Sequence, residues 1–331
     1  MSTKVASRQV WQPSRRSLIL GAAMSLGASD AGAWRSGGSV ISSLRSAYVA
    51  KGFGILIHFE MNTFTGLEIG TGNESPNTFN PTAGRVNIDQ WVSTCVAAKA
   101  KYAIVIAKHH SGFCMWPTAT TAHSISSSSP WYAANGNQDI VGEFISKFRA
   151  AGIAPYIYFS IWDEAYGIAN PSATQAQYKA YTQAQITELL SNYGSVGALW
   201  MDGDEWHYGS YYPWATSAER AAFITGLQPN CLAISNNHQG ATNANSDIAE
   251  YEKTFPLAGN IVPSEVVDTI RSDGNWFWTS PDILVQSSTI LANISACRWV
   301  KTTYLLACQP DTTGAIPSEQ AALLATVGAS L

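Results

Sequence analysis

From about residue 50 onward, apolar runs of strand length alternate with helical patterns, and this alternation leaves the chain few folds to adopt. The runs Gly54 to Phe59, Tyr102 to Lys108, Ala154 to Ser160, Ala198 to Gly203, Cys231 to Asn236, Asp247 to Glu252 and Thr302 to Cys308 read as strands. Between them Ile88, Trp91, Val92, Cys95 and Ala98 recur at helical spacing, with Asn87 or Asp89 as N-cap. Ile140, Val141, Phe144 and Phe148 mark a second helix stopped by Gly152. Thr174 to Tyr193 predicts a long one ended by Gly194, and Ser318 to Leu331 a closing one. Strand–helix alternation repeated this often predicts a mainly parallel sheet with helices outside. In a chain of 331 residues this fits an α/β fold of the (β/α)8, TIM-barrel type in one domain of roughly 250 to 300 residues. A doubly wound open sheet is the alternative, but no glycine-rich phosphate loop follows the first strand.

The N-terminal segment reads as separate from this fold. Arg15 and Arg16 precede a short apolar run, Leu18 to Ala28, and Ala31-Gly32-Ala33 offers a small-residue cleavage site before Trp34. These are the parts of an export signal, and the paired arginines resemble a twin-arginine signal. The expected organisation is a signal over residues 1–33 and a single catalytic domain over 34–331, exported to the periplasm or outside the cell. The five cysteines lie scattered without metal-type spacing, and an odd count speaks against a fully paired disulfide framework. They read as small apolar core residues. No apolar run elsewhere reaches transmembrane length. With 13% charged residues, a net charge of −4 and no basic run, nothing favours nucleic-acid binding. The 12 Trp and 14 Tyr supply flat faces that suit sugar rings, though large α/β cores use aromatics too.

Most informative is where polar residues fall. The candidate strands stay apolar until their C-terminal ends, which carry His58, then Lys108-His109-His110, then Tyr158 to Ser160, then Asp202-Gly203-Asp204-Glu205, and later Glu250-Tyr251-Glu252. In a barrel those ends converge on one mouth. Charges on buried strands are costly, so their repetition demands a function. Two chemistries suit such a set. Paired carboxylates can hydrolyse a glycosidic bond, or His and Asp can hold a hydrolytic zinc. Adjacent His109 and His110 would face opposite ways on a strand, and reach one site only where the strand gives way to a loop. The aromatic surroundings favour sugar chemistry.

At these residues the chain resembles glycoside hydrolase family 29, the α-L-fucosidases, from about Gly52 to the C-terminus. The markers are Phe53-Gly54-Ile55-Leu56-Ile57-His58, Lys108 to Trp116, Leu199-Trp200-Met201-Asp202-Gly203, and Tyr304-Leu305-Leu306 with Gln309-Pro310-Asp311 and Gly314. The resemblance implies Asp202 as nucleophile and a substrate pocket of His58, Glu68, His109, His110, Tyr158, Trp200 and Trp276. Asp204 and Glu205 then read as loop charges. For the acid/base, Glu252 best matches the family's spacing and stands nearer the mouth, with Glu250 and Glu265 as rivals; otherwise Glu265 would be a pocket or positioning group. Phe59-Glu60 departs from the Trp-Gly that often follows the first-strand histidine, and Ala307-Cys308-Gln309 from Asn-Val-Gly. The C-terminal β-sandwich of many members is not expected. The implied activity is exo-acting, retaining hydrolysis of terminal α-L-fucose from glycans, with no cofactor and no metal. The alternatives are an α-L-galactosidase or a non-catalytic carbohydrate-binding barrel.

Overall fold

The computed structural model of the chain describes residues 39–126, 130–203, 217–236 and 246–331. The expected export signal, Asp204 and Glu205 lie outside the described residues. Eight strands, β1 (Phe53–Ile57), β2 (Tyr102–Lys108), β3 (Ala154–Ser160), β4 (Ala198–Asp202), β5 (Leu232–Ser235), β6 (Ala249–Glu252), β7 (Ser264–Thr269) and β8 (Thr302–Cys308), close into an all-parallel barrel in sequence order. The expected (β/α)8 architecture is therefore present. β7 is the strand that sequence reading does not reach. Its run Ser264-Glu265-Val266-Val267-Asp268-Thr269 carries two carboxylates, yet four of its first residues are buried.

Side-chain alternation along the strands divides the core into two layers. Leu56, Ile104, Ile106, Tyr156, Tyr158, Trp200 and Val267 fill the barrel. Ile55, Ile57, Val105, Ile157, Phe159, Leu199 and Met201 pack outward against the helices. Gly54 is required by this interior: an added Cβ would lie 2.3 Å from the Tyr102 ring. Helices form where the sequence caps them. Asn87 accepts from the Gln90 N–H at the start of Ile88–Ala97, which buries Ile88, Trp91, Thr94 and Cys95. Asp139 caps Ile140–Ala150, and Thr174 with Gln177 makes a capping box on Gln175–Asn192. The helix Ser39–Val49 sends Tyr48 into the same interior set of side chains, where it stacks on Tyr156 at 5.4 Å. All five cysteines are free and buried. Among the described residues no helix is long and apolar enough to cross a membrane.

One irregularity determines what reaches the mouth. β2 pairs with β3 in register up to Ile106 opposite Tyr158, and then Lys108 stands opposite Phe159, one extra residue on β2. This bulge turns Lys108 outward. There its ammonium donates to Asp163 (2.9 Å) and Gln185 (2.8 Å) and lies 4.3 Å from the Phe159 ring centroid. The strand ends on Lys108, so His109 and His110 are free to face one cavity together.

Candidate active site

The C-terminal strand ends surround a cavity of about 230 Å³. His58, Glu68, His109, His110, Tyr158, Trp200, Asp202, Glu252 and Trp276 all line it, from six strands or the loops that follow them. Glu265 does not. It is fully buried on β7, one layer below, and its connection to the cavity runs through the Trp200 indole N–H, which donates to its carboxylate at 2.9 Å. Tyr48 (2.8 Å) and Tyr102 donate to its other oxygen. Of the two roles expected for Glu265, pocket contact and positioning group, its place corrects the first and fits the second: it supports the cavity floor from beneath. Glu250 lies beside it across the β6–β7 ladder and does not line the cavity either. Burial pushes the Glu265 carboxyl up to about 7, against the donors that favour its charge. Burial and then Glu265 push Glu250 well above the carboxylate range.

Asp202 ends β4. Its Oδ2 accepts from the Tyr158 hydroxyl at 2.6 Å, and its Oδ1 from the Gly203 N–H at 2.8 Å and the Asn236 side chain at 3.3 Å. Gly203 makes its close turn at φ 75°, where an added Cβ would meet Trp162 at 2.7 Å. His110 Nε2 stands 3.8 Å from Asp202, while its Nδ1 is 2.7 Å from Ser160. Burial first, and Asp202 second, raise the Tyr158 hydroxyl, which keeps it a donor.

Asn236 also donates to Glu252, at 3.0 Å. One amide nitrogen thus bridges the two carboxylates, whose bonded oxygens are no further apart than the two bonds laid end to end, about 6.3 Å. Asn236 was within reach of sequence reasoning, because it closes the fifth strand just as the other polar residues close theirs. Trp162, which stacks on His110 at 4.8 Å, follows β3 by two residues and left no such signal. Part of the lining is apolar: Leu56, Ile69 and Val267 join Trp276 in it. Burial, then the neighbouring His110, lower the imidazoles of His58, to about 3, and of His109. Both are therefore neutral hydrogen-bonding groups. Burial raises Glu68, against the Lys253 charge, which lowers it, and the charge of Glu252 adds to the rise.

A family model described as alpha-L-fucosidase matches residues 58–331. The chain belongs to the α-L-fucosidase family. α-L-Fucosidase 1 of Arabidopsis thaliana is 31% identical over 294 residues, which are 80% of this chain and 55% of that protein. A putative α-L-fucosidase 1 of Oryza sativa is 26% identical over 82% of this chain and 54% of its own length. The chain spans about half the length of these curated relatives. Among solved structures, α-L-fucosidase isoenzyme 1 from Paenibacillus thiaminolyticus superposes with a TM-score of 0.74 at 23% identity, over 88% of this chain and 76% of that one. That likeness shows the shared barrel.

Within this α-L-fucosidase-family barrel, His109, His110 and Asp202 each bring one possible metal-ligand atom within 4.8 Å of the others. Ligands of a tetrahedral zinc stand roughly 3.3 Å apart. The spacing is looser than that, and the Asp202 Oδ2 that faces His110 is held by Tyr158. The donor set is a loose fit to a zinc ion.

Glu60, the departure noted at the end of β1, is fully buried and braces one wall of the cavity. Its carboxylate accepts from the Asn62 N–H (3.0 Å) and Ser111 hydroxyl (3.2 Å), and the Asn62 side chain donates to the Glu68 carbonyl (3.0 Å). Burial pushes Glu60 up to about 8. A carboxyl raised in the folded state holds its proton there and loses it in the unfolded chain, so its contribution is full below about pH 4.5 and fades as pH rises through 8. Denaturant titrations from pH 5 to 8 should show wild type losing ground to Glu60→Gln by roughly 1.4 kcal/mol per pH unit. A constant gap between the two would mean that Glu60 is ionised throughout.

Proposed function

We propose that the chain is an exo-acting, retaining α-L-fucosidase that hydrolyses terminal α-L-fucosyl residues of oligosaccharides or glycoconjugates. The observation that carries this reading is the Asn236 bridge between Asp202 and Glu252. Retaining glycosidases use two carboxyl groups about 5 to 5.5 Å apart, whereas inverting ones need about 6.5 Å or more to admit a water. The ceiling of about 6.3 Å on the bonded oxygens supports the retaining arrangement.

In the first displacement Asp202 attacks the anomeric carbon while Glu252 protonates the leaving oxygen. In the second, Glu252 takes a proton from water, which attacks the same carbon and releases Asp202. Tyr158, Asn236 and the Gly203 N–H hold the attacking carboxylate in one orientation. The neutral imidazoles of His58 and His109 suit hydroxyl recognition, since each presents both a donor and an acceptor nitrogen. Leu56, Ile69, Val267 and Trp276 suit the methyl group that distinguishes L-fucose from L-galactose. The arginine pair and apolar run at the N-terminus support export of the protein.

Proton NMR of p-nitrophenyl α-L-fucoside hydrolysis should show α-L-fucose as the first-formed product. Initial β-product would sink the double displacement. The α-L-galactoside should be turned over far more slowly, and chelator should leave the rate unchanged. Faster galactoside turnover would reassign the sugar, and loss of activity in chelator would restore the zinc reading.

A further inference from the structure

Lys253 follows Glu252 directly and adopts φ 51°, the left-handed conformation that glycine takes most easily. Lys99, Asn137 and Lys301 share that conformation among the described residues, but Lys99 and Lys301 lie in turns after a helix and before a strand, and Asn137 lies between two helices. Lys253 instead sits at the end of a barrel strand, beside the cavity. Its backbone N–H donates to the Val267 carbonyl at 2.9 Å, which carries the β6–β7 ladder one residue past Glu252. The chain then turns, and the side chain crosses to the loop after β7. There the ammonium donates to the Gly274 carbonyl at 2.8 Å and stands 4.2 Å from the centroid of the Trp276 ring. The indole in turn stacks on His58, with centroids 5.7 Å apart and planes at 24°.

We propose that Lys253 is a positioning residue, which clamps Trp276 onto His58 and so sets the apolar wall of the sugar cavity. This rests on the fucosidase reading above. A cation is drawn to the face of an indole. Here that attraction and the Gly274 bond act on the same short loop. Glycine would suit the backbone better, so the lysine side chain is retained at a conformational cost that its contacts offset. Lys253 touches no reacting atom in this role. Its effect runs through the placement of Trp276, and should appear in sugar binding before it appears in the chemical step.

Three variants separate this from a merely structural role. Lys253→Gly relaxes the backbone and removes the clamp, so its melting temperature should hold or rise while KM for the nitrophenyl fucoside rises roughly tenfold. Lys253→Met keeps the aliphatic stem without the charge and should show the same KM loss with kcat little changed. Lys253→Arg retains a cation for the ring and should recover most of the loss. Inhibition of wild type and variants by free L-fucose gives a binding readout independent of turnover, and should weaken in parallel with KM. Wild-type KM and fucose affinity in Lys253→Gly and Lys253→Met would overturn the clamp. A wild-type protein that neither hydrolyses the fucoside nor binds fucose would instead overturn the functional reading itself.

Discussion

Asp202→Ala is expected to lower turnover of p-nitrophenyl α-L-fucoside at least a thousandfold, about 4 kcal/mol on the barrier. The loss should be this large because, among the described residues, no other carboxylate of the cavity is placed to replace it. Glu252 lies across the bridging amide, and Tyr158, whose hydroxyl would fall only 2.6 Å from the lost oxygen, is held protonated by burial. The fold should survive, since Asp202 sits at the rim of the barrel and is only partly buried. Removal of the side chain also opens space against the anomeric carbon. Azide should enter there, restore part of the turnover, and yield the β-L-fucosyl azide by a single inversion. Unimpaired turnover in the variant would remove Asp202 from the nucleophile's role.

What the chain announces in advance, and what it withholds, follows from how local each signal is. The barrel was legible because six of its strands are largely apolar runs, and burial on both faces needs little more than that. β7 escaped this reading because its two carboxylates flank only two valines, whereas β6, with two of its own, ends on Glu252 just where the other strands turn polar. Glu265 is tolerated only through three donors, two tyrosines and a tryptophan that arrive from residues 48, 102 and 200. No window of sequence contains such a network. The same distance hid the division of labour among Glu250, Glu252 and Glu265. Alternation correctly places Glu250 and Glu252 on one side of β6, but only the closed barrel puts the first in the interior and the second at the mouth. His109 and His110 were ambiguous for a different reason. Strand periodicity sends them to opposite faces, and the extra residue on β2, visible only in its pairing with β3, removes that conflict. The position of Asn236 was readable from its strand end; its role as bridge was not, because both partners are remote in sequence.

Glu252→Ala should be the second severe loss, and its form distinguishes it from the first. General acid catalysis contributes typically 10²- to 10⁴-fold. That contribution matters most when the departing oxygen is a poor leaving group. Hydrolysis of a fucosylated oligosaccharide should therefore fall by about 10³-fold or more, whereas the nitrophenyl fucoside, whose leaving group needs little protonation, should lose far less in its first displacement. The alkaline limb of the kcat/KM profile reports deprotonation of the acid, and should flatten in the variant. Azide should again accelerate turnover, now by attacking the covalent intermediate on Asp202, so that two inversions give the α-L-fucosyl azide. Glu250→Gln serves as the contrast. Glu250 is buried in the barrel interior beside Glu265 and reaches no substrate, so its replacement should be felt in stability, with the alkaline limb and the azide product unchanged. If instead Glu250→Gln flattens the limb and Glu252→Ala does not, the acid/base moves one layer down the barrel, and the cavity floor must open for catalysis.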